Sequence, residues 1–233
     1  MKLKYFGTAA AEGMPALFCY CEHCERAKKA GGKNIRTRSQ ALINDDLLID
    51  LPPDTYMHIL DYGLDLRSIE HILITHSHED HLYPLELTNI RLPFAHRLPD
   101  AGPVNVYASS CSSAEVFCGA VKGQVLDDKH LKIKTVKAFE PFKVKNYNII
   151  PLTANHDYSI DSLIYIISDG EKTMLYGNDT GWFPEETWAF LKDSGVRFDY
   201  VSLDCTCTGE TVERPNGHMN LVACKATKEE MLK

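Results

Sequence analysis

From Ile69 to Thr75 the chain reads IEHILIT, a nearly unbroken apolar run. A short run of this kind predicts a strand covered on both faces. Met1 to Phe6 predicts another strand. Ser39 to Asn44 and Leu47 to Asp50 flank Asp45-Asp46 and predict a hairpin. Val104 to Ala108 predicts a strand. Between Leu131 and Thr153 the pattern turns to strands and turns, as in IKTVKAF, FKV and YNIIPLT. Leu163 to Ser168 and Thr173 to Tyr176 meet at Asp169-Gly170, a strong hairpin signal. Tyr200 to Leu203 is the last predicted strand. Helices are expected over Glu25 to Ala30, Leu82 to Leu92, Ser112 to Val121, Glu185 to Lys192 and from Asn220 onward. One more starts at Pro52-Pro53-Asp54, where proline costs no hydrogen bond in a first turn, and ends at Gly63. Strands and helices alternate in two halves, and no linker rich in Pro, Gly or Ser divides them. Periodicity alone fits α/β or α+β, as a single domain over residues 1–233.

Composition narrows the class. A chain of 233 residues, 44% of them hydrophobic, can bury a substantial core. The net charge of −7 does not suit a nonspecific nucleic-acid binder, which carries a basic face. A phosphate substrate would have to be attracted locally, for example by bound metal ions. The opening MKLKYFGTAAAEG lacks the apolar core of a signal peptide, and no stretch approaches the roughly 20 apolar residues of a membrane helix. A soluble cytoplasmic protein is the expectation. Eight cysteines in such a chain suggest metal ligands or free thiols more than disulfides.

The chemistry gathers directly after the buried run, in His76-Ser77-His78-Glu79-Asp80-His81. Imidazole and carboxylate are ligands for first-row metals. His76 and His78 can converge on one ion, while Asp80 and His81, where the chain turns away, can reach a second. Three histidines and an aspartate in six residues after a buried strand are hard to read as a chance polar loop. A second cluster, Cys19-x-Cys21-x-x-Cys24, offers three thiolates to one ion, against the alternative of free thiols in a turn.

The hexapeptide resembles the signature of the metallo-β-lactamase superfamily. That resemblance implies an αββα sandwich, and three further motifs follow in the family's order. Asp50, closing LLID, would support the metal site from behind. His156, in TANH, would be the third ligand to the first ion. Asp179, in YGNDT, would bridge the two ions. Gly7-Thr8, Gly13-Met14-Pro15 and the three cysteines resemble one subgroup, typified by the accessory phosphodiesterase of the carbon–phosphorus lyase pathway. Pyrroloquinoline quinone biosynthesis protein B is a further relative with similar cysteines. The tRNA 3′-processing endonuclease shares the core layout, but the long RNA-gripping arm is missing here. The subgroup implies a structural zinc at Cys19, Cys21 and Cys24. It also implies that His218, in GHMN after LDCT, faces the substrate phosphate as proton donor. The family places one more histidine-bearing strand after the last helix. This sequence stops without it, so a missing C-terminal strand is the expectation.

The resemblance thus implies a metal-dependent hydrolase, most readily a phosphodiesterase for small or cyclic nucleotide-like diesters. Asp80 and His218 would be catalytic, and a hydroxide held by two divalent ions (zinc or manganese, with iron a further option) would attack. Two alternatives remain: a thioester or lactone hydrolase on the same site, and a non-hydrolytic metal-binding pathway protein. The partner would be a small phosphodiester, with no membrane and no large nucleic acid. A homodimer is left open.

Overall fold

In the computed structural model, residues 1–122 and 126–233 are described. The chain packs as two compact units, one of Lys2–Tyr107 with Ser112–Lys134, the other of Met1, Ala108–Cys111 and Thr135–Lys233. Each is built on a mixed sheet with helices.

The sheet of the first unit has six strands in sequence order: β1 (Leu3–Gly7), β2 (Gln40–Ile43), β3 (Leu47–Ile49), β4 (His71–Leu73), β5 (Val104–Ala108) and β6 (Leu131–Thr135). The expected hairpin is present, with Ala41 opposite Ile49. β3, β4 and β5 then run parallel. Parallel strands are covered on both faces, so their residues read as continuous apolar runs. Leu47, Leu48, Ile49, Leu73 and Ile74 are accordingly buried, each contributing about 1.5–3 kcal/mol of hydrophobic stabilisation. The helices are α1 (Glu22–Ala30), α2 (Thr55–Tyr62) and α3 (Ser110–Val116). Gly63 closes α2 in the left-handed conformation that glycine adopts without strain.

The sheet of the second unit has the order β11-β10-β9-β8-β7, with β7 (Phe142–Val144), β8 (Tyr147–Thr153), β9 (Leu163–Ser168), β10 (Thr173–Gly177) and β11 (Tyr200–Leu203). β7 to β10 pair antiparallel, and β11 lies parallel to β10. Two helices complete the unit, α4 (Glu185–Ser194) and α5 (Leu221–Met231). Its core joins Leu152, Ile164, Ile166 and Leu175 of the sheet to Trp188 of α4 and Ala223 of α5.

Three expectations about elements need correction. Leu82 to Leu92 does not form an α-helix; Pro84–Ile90 takes tighter 3₁₀ turns, and only Leu87 of that span is buried. The helix expected from Pro52 starts at Thr55. The strand expected over Ile69 to Thr75 is hydrogen-bonded as a strand only at His71–Leu73, because its neighbour β3 has just three residues. Among the described residues, no helix is long and apolar enough to cross a membrane.

Candidate metal centre

In the first unit, β3 and β4 are parallel neighbours, so their C-terminal ends lie on one edge of the sheet. Asp50 follows β3, and Thr75-His76 follow β4 closely. Asp50 is fully buried and sits at φ 65°, a left-handed conformation that costs a non-glycine residue about 1 kcal/mol. Its carboxylate accepts hydrogen bonds from the Thr75 backbone N–H at 2.8 Å, the Thr75 hydroxyl at 3.0 Å and His81 Nδ1 at 2.7 Å. Burial pushes the Asp50 carboxyl up from the ordinary aspartate range, against the pull of His81 and Thr75. The far end of the motif is tied down by backbone bonds: Leu51 N–H donates to His81 C=O, and Tyr83 N–H to Leu51 C=O.

These restraints aim the ring nitrogens. With Nδ1 of His81 donating to Asp50, its Nε2 lies 3.6 Å from Asp80 Oδ2. His76 Nε2 lies 3.1 Å from His78 Nδ1. Two nitrogens each about 2.0–2.1 Å from a tetrahedral ion would stand about 3.3 Å apart, so this pair has ligand spacing. The His76 and His81 rings are 4.2 Å apart, centroid to centroid. A carboxylate that holds the far nitrogen of a ligating histidine is a common support in metal sites, and Asp50 has that relation to His81. The donor set fits divalent ions of the first row. His76 thus lies beside both His78 and His81, and His81 beside Asp80.

The cysteine group lies in the same unit. The Sγ atoms of Cys19, Cys21 and Cys24 are all within 4.8 Å of one another. Backbone N–H groups of Ala16 and Cys21 point at the sulfurs of Cys24 and Cys19, each at 3.4 Å. The Cys21 thiol is drawn below its ordinary range by a backbone bond from Cys24 and by Cys19. Against the lowering by the Ala16 N–H, hydrogen bonding with Cys19 and burial hold the Cys24 thiol above its ordinary range, and the set fits a zinc ion with three sulfur ligands.

In the second unit, β8 and β10 both pair antiparallel with β9, and β11 is parallel to β10. The C-terminal ends of β8, β10 and β11 therefore share one edge. His156, Asp179 and Asp204 follow those three ends. His156, Asp179 and His218 offer ligand atoms within 4.8 Å of one another. His156 Nδ1–H donates to Gly217 C=O at 3.1 Å, which leaves Nε2 as its lone-pair nitrogen. Asp179, like Asp50, is left-handed, with φ 51°. His218 Nδ1 donates to the buried carboxylate of Asp204 at 2.7 Å and is 3.6 Å from Asp179 Oδ1.

One side chain staples these loops. The Asn155 amide donates to Trp182 C=O at 2.9 Å and to Asn216 Oδ1 at 3.1 Å, while its backbone N–H donates to Thr180 Oγ1. Asn155 thereby ties the loop of His156 to those of Asp179 and His218. Thr75, Asn155 and Asp204 are site residues to which the sequence alone assigned no role. Asp204 had a signal, since like Asp50 it is an aspartate closing a strand. Cys224 supports Asp204 from α5: its Sγ donates to Asp204 C=O at 3.0 Å, and burial pushes the thiol up to about 12.

Residues 47–233 match the family model described as "Beta-lactamase superfamily domain". Several solved structures share the fold. A new diphosphatase from the PhnP family matches at 21% identity and TM-score 0.71, over 97% of this chain and 81% of that one. Zinc-bound PqqB from Methylobacterium extorquens matches at 19% identity and TM-score 0.69, over 94% and 81%. The short form of human tRNase Z matches at 17% identity and TM-score 0.67, over 98% and 88%. At these identities the likeness carries the fold and nothing finer. No curated protein matches the sequence.

Proposed function

The chain belongs to the beta-lactamase superfamily, and from that premise we propose that it is a metal-dependent phosphodiesterase acting on a small diester. The family and the structural neighbours bear out the α/β class and the metallo-β-lactamase fold, and they support a metal-dependent hydrolase. The choice of an oxygen leaving group rests on one observation, the Asp204–His218 pair at 2.7 Å beside Asp179 and His156, and the choice of phosphorus over a lactone carbonyl rests on the family resemblance.

In this reading the ligand roles are those implied by the family resemblance. His76, His78 and His156 would hold one ion, Asp80 and His81 would hold a second, and Asp179 would contribute to both. The ions would acidify a water and offset charge on the phosphoryl oxygens. The chain's own groups do the rest. Asp50 fixes the tautomer of His81, and Gly217 C=O fixes that of His156. Asp204 fixes that of His218, whose other nitrogen would deliver a proton to the leaving oxygen. A departing alkoxide needs that proton, whereas a thiolate leaves without one, so the dyad favours oxygen esters over thioesters. One structural neighbour is a diphosphatase of the PhnP family, which agrees with phosphate chemistry.

A panel of chromogenic substrates tests this reading on metal-loaded protein. The proposal predicts turnover of phosphodiesters at least about 100-fold faster than of a thioester or lactone. Asp204→Asn should lower kcat for a poor alcohol leaving group about 100-fold and flatten the basic limb of its pH profile. Faster turnover of carbonyl substrates, or an unchanged Asp204→Asn profile, would contradict it.

A further inference from the structure

The second unit holds a cavity of about 890 Å³ that no proposed ligand residue lines. Part of its wall comes from the three loops that carry His156, Asp179 and His218, and the rest from segments including Ser109-Ser110 and residues 135–138. Asn155 and Tyr158 flank His156, Trp182 follows Asp179, and Arg214 and Asn216 precede His218. The cavity is therefore lined by sequence neighbours of His156, Asp179 and His218. Its volume lies at the upper end of the roughly 300–1,000 Å³ typical of small-molecule sites.

The lining chemistry selects among ligands. Arg214 is exposed and sits over Trp182, with Cζ 5.0 Å from the ring centroid, within cation–π range. Trp182 is in turn backed by Trp188, with centroids 5.1 Å apart. The guanidinium is thus placed beside an indole that is itself held in position. The planar fork is preset to stack on a flat ring, as arginine does on aromatic systems. Tyr158 adds a second, exposed aromatic ring, its hydroxyl donating to Asn155 Oδ1 at 3.2 Å. Two cations, Lys137 and Arg214, face three carboxylates, Asp157, Asp161 and Glu186. This balance does not favour a second phosphate. It suits an uncharged planar group with hydrogen-bonding edges, which amide and carboxylate groups can read.

We propose that this cavity is a subsite for a nucleoside-like group, stacked on the Arg214–Trp182 pair. Its role as the leaving-group pocket rests on the phosphodiesterase reading; its capacity to bind does not. The two tryptophans of the chain, Trp182 and Trp188, stand at the subsite, so their fluorescence reports on it directly. The metal-loaded protein is titrated with adenosine and, separately, with pyrophosphate, exciting at the red edge of the indole band. Saturable quenching by adenosine and none by pyrophosphate is expected. Arg214→Lys keeps the charge but loses the planar face, and should weaken adenosine binding about tenfold. A response to pyrophosphate alone would overturn the proposal in favour of an anion subsite. Silence toward both ligands, or an unaffected Arg214→Lys variant, would also overturn it. Adenosine binding in a protein that hydrolyses no diester would support the subsite while refuting the reaction proposed above.

Discussion

At the scale of single residues, the two units use one device twice. A buried aspartate closing a strand grips Nδ1 of a histidine at 2.7 Å, as Asp50 does His81 and Asp204 does His218. The histidine motif is legible in the sequence because its members lie within six residues. The grip of Asp204 on His218 is not, because the two are 14 residues apart and only the path from β11 to α5 brings them together. His58 shows the same limit. It is buried, with Nδ1 2.5 Å from Gln40 Oε1 and Nε2 2.8 Å from Thr37 Oγ1, and burial depresses its pKa to about 4. An unfolded histidine titrates near 6.5, so between about pH 6.5 and 4 the unfolded state binds more protons than the folded one. Stability should therefore fall as the pH drops through that window, by at most about 3 kcal/mol. Urea unfolding at pH 7 and pH 4.5, beside His58→Gln, checks this. The wild type should lose more of its midpoint on acidification than the variant, and equal losses would refute the assignment.

At the scale of elements, short strands place the chemistry and loop contacts lock it. Strand identity is legible where the apolar runs are short and bounded, as in β8, β9 and β10. Helix type is not legible over Leu82 to Leu92, because the local pattern omits what pins it. A Cβ at Gly119 would stand 2.6 Å from Pro84 Cγ, so a long-range contact fixes the start of that segment. The loops of Asp179 and His218 touch just as closely at Gly181, where a Cβ would meet Pro215 C=O at 2.1 Å and the Asn216 backbone within 3 Å. No flexible side chain is available there to yield. Gly181→Ala should cost about 2–4 kcal/mol of stability and lower turnover by at least about tenfold, since it pries apart loops that must hold His156 and His218 in place. Thermal unfolding and steady-state rates measure both. A variant with wild-type stability would show that this contact is not needed.

At the scale of the whole molecule, an acidic chain of net charge −7 is assigned a reaction on anionic esters. Metal ligands would reconcile the two, because bound divalent ions would make the site locally positive whatever the net charge. The family and fold were foreshadowed by four short motifs in order, and the family model, spanning residues 47–233, agrees. The substrate has no such signature, since the pocket that would select it is assembled from residues scattered between Ser109 and Asn216. The central claim is that the histidine motif binds the ions that drive hydrolysis. Its most direct test is the rate of hydrolysis of bis(p-nitrophenyl) phosphate after chelation and after re-addition of manganese or zinc, for wild type and His78→Ala. The account predicts turnover that vanishes on chelation, returns with metal, and is at least about 1,000-fold lower in a His78→Ala protein that folds normally. Turnover that survives chelation, or a His78→Ala variant with wild-type rates, would contradict it.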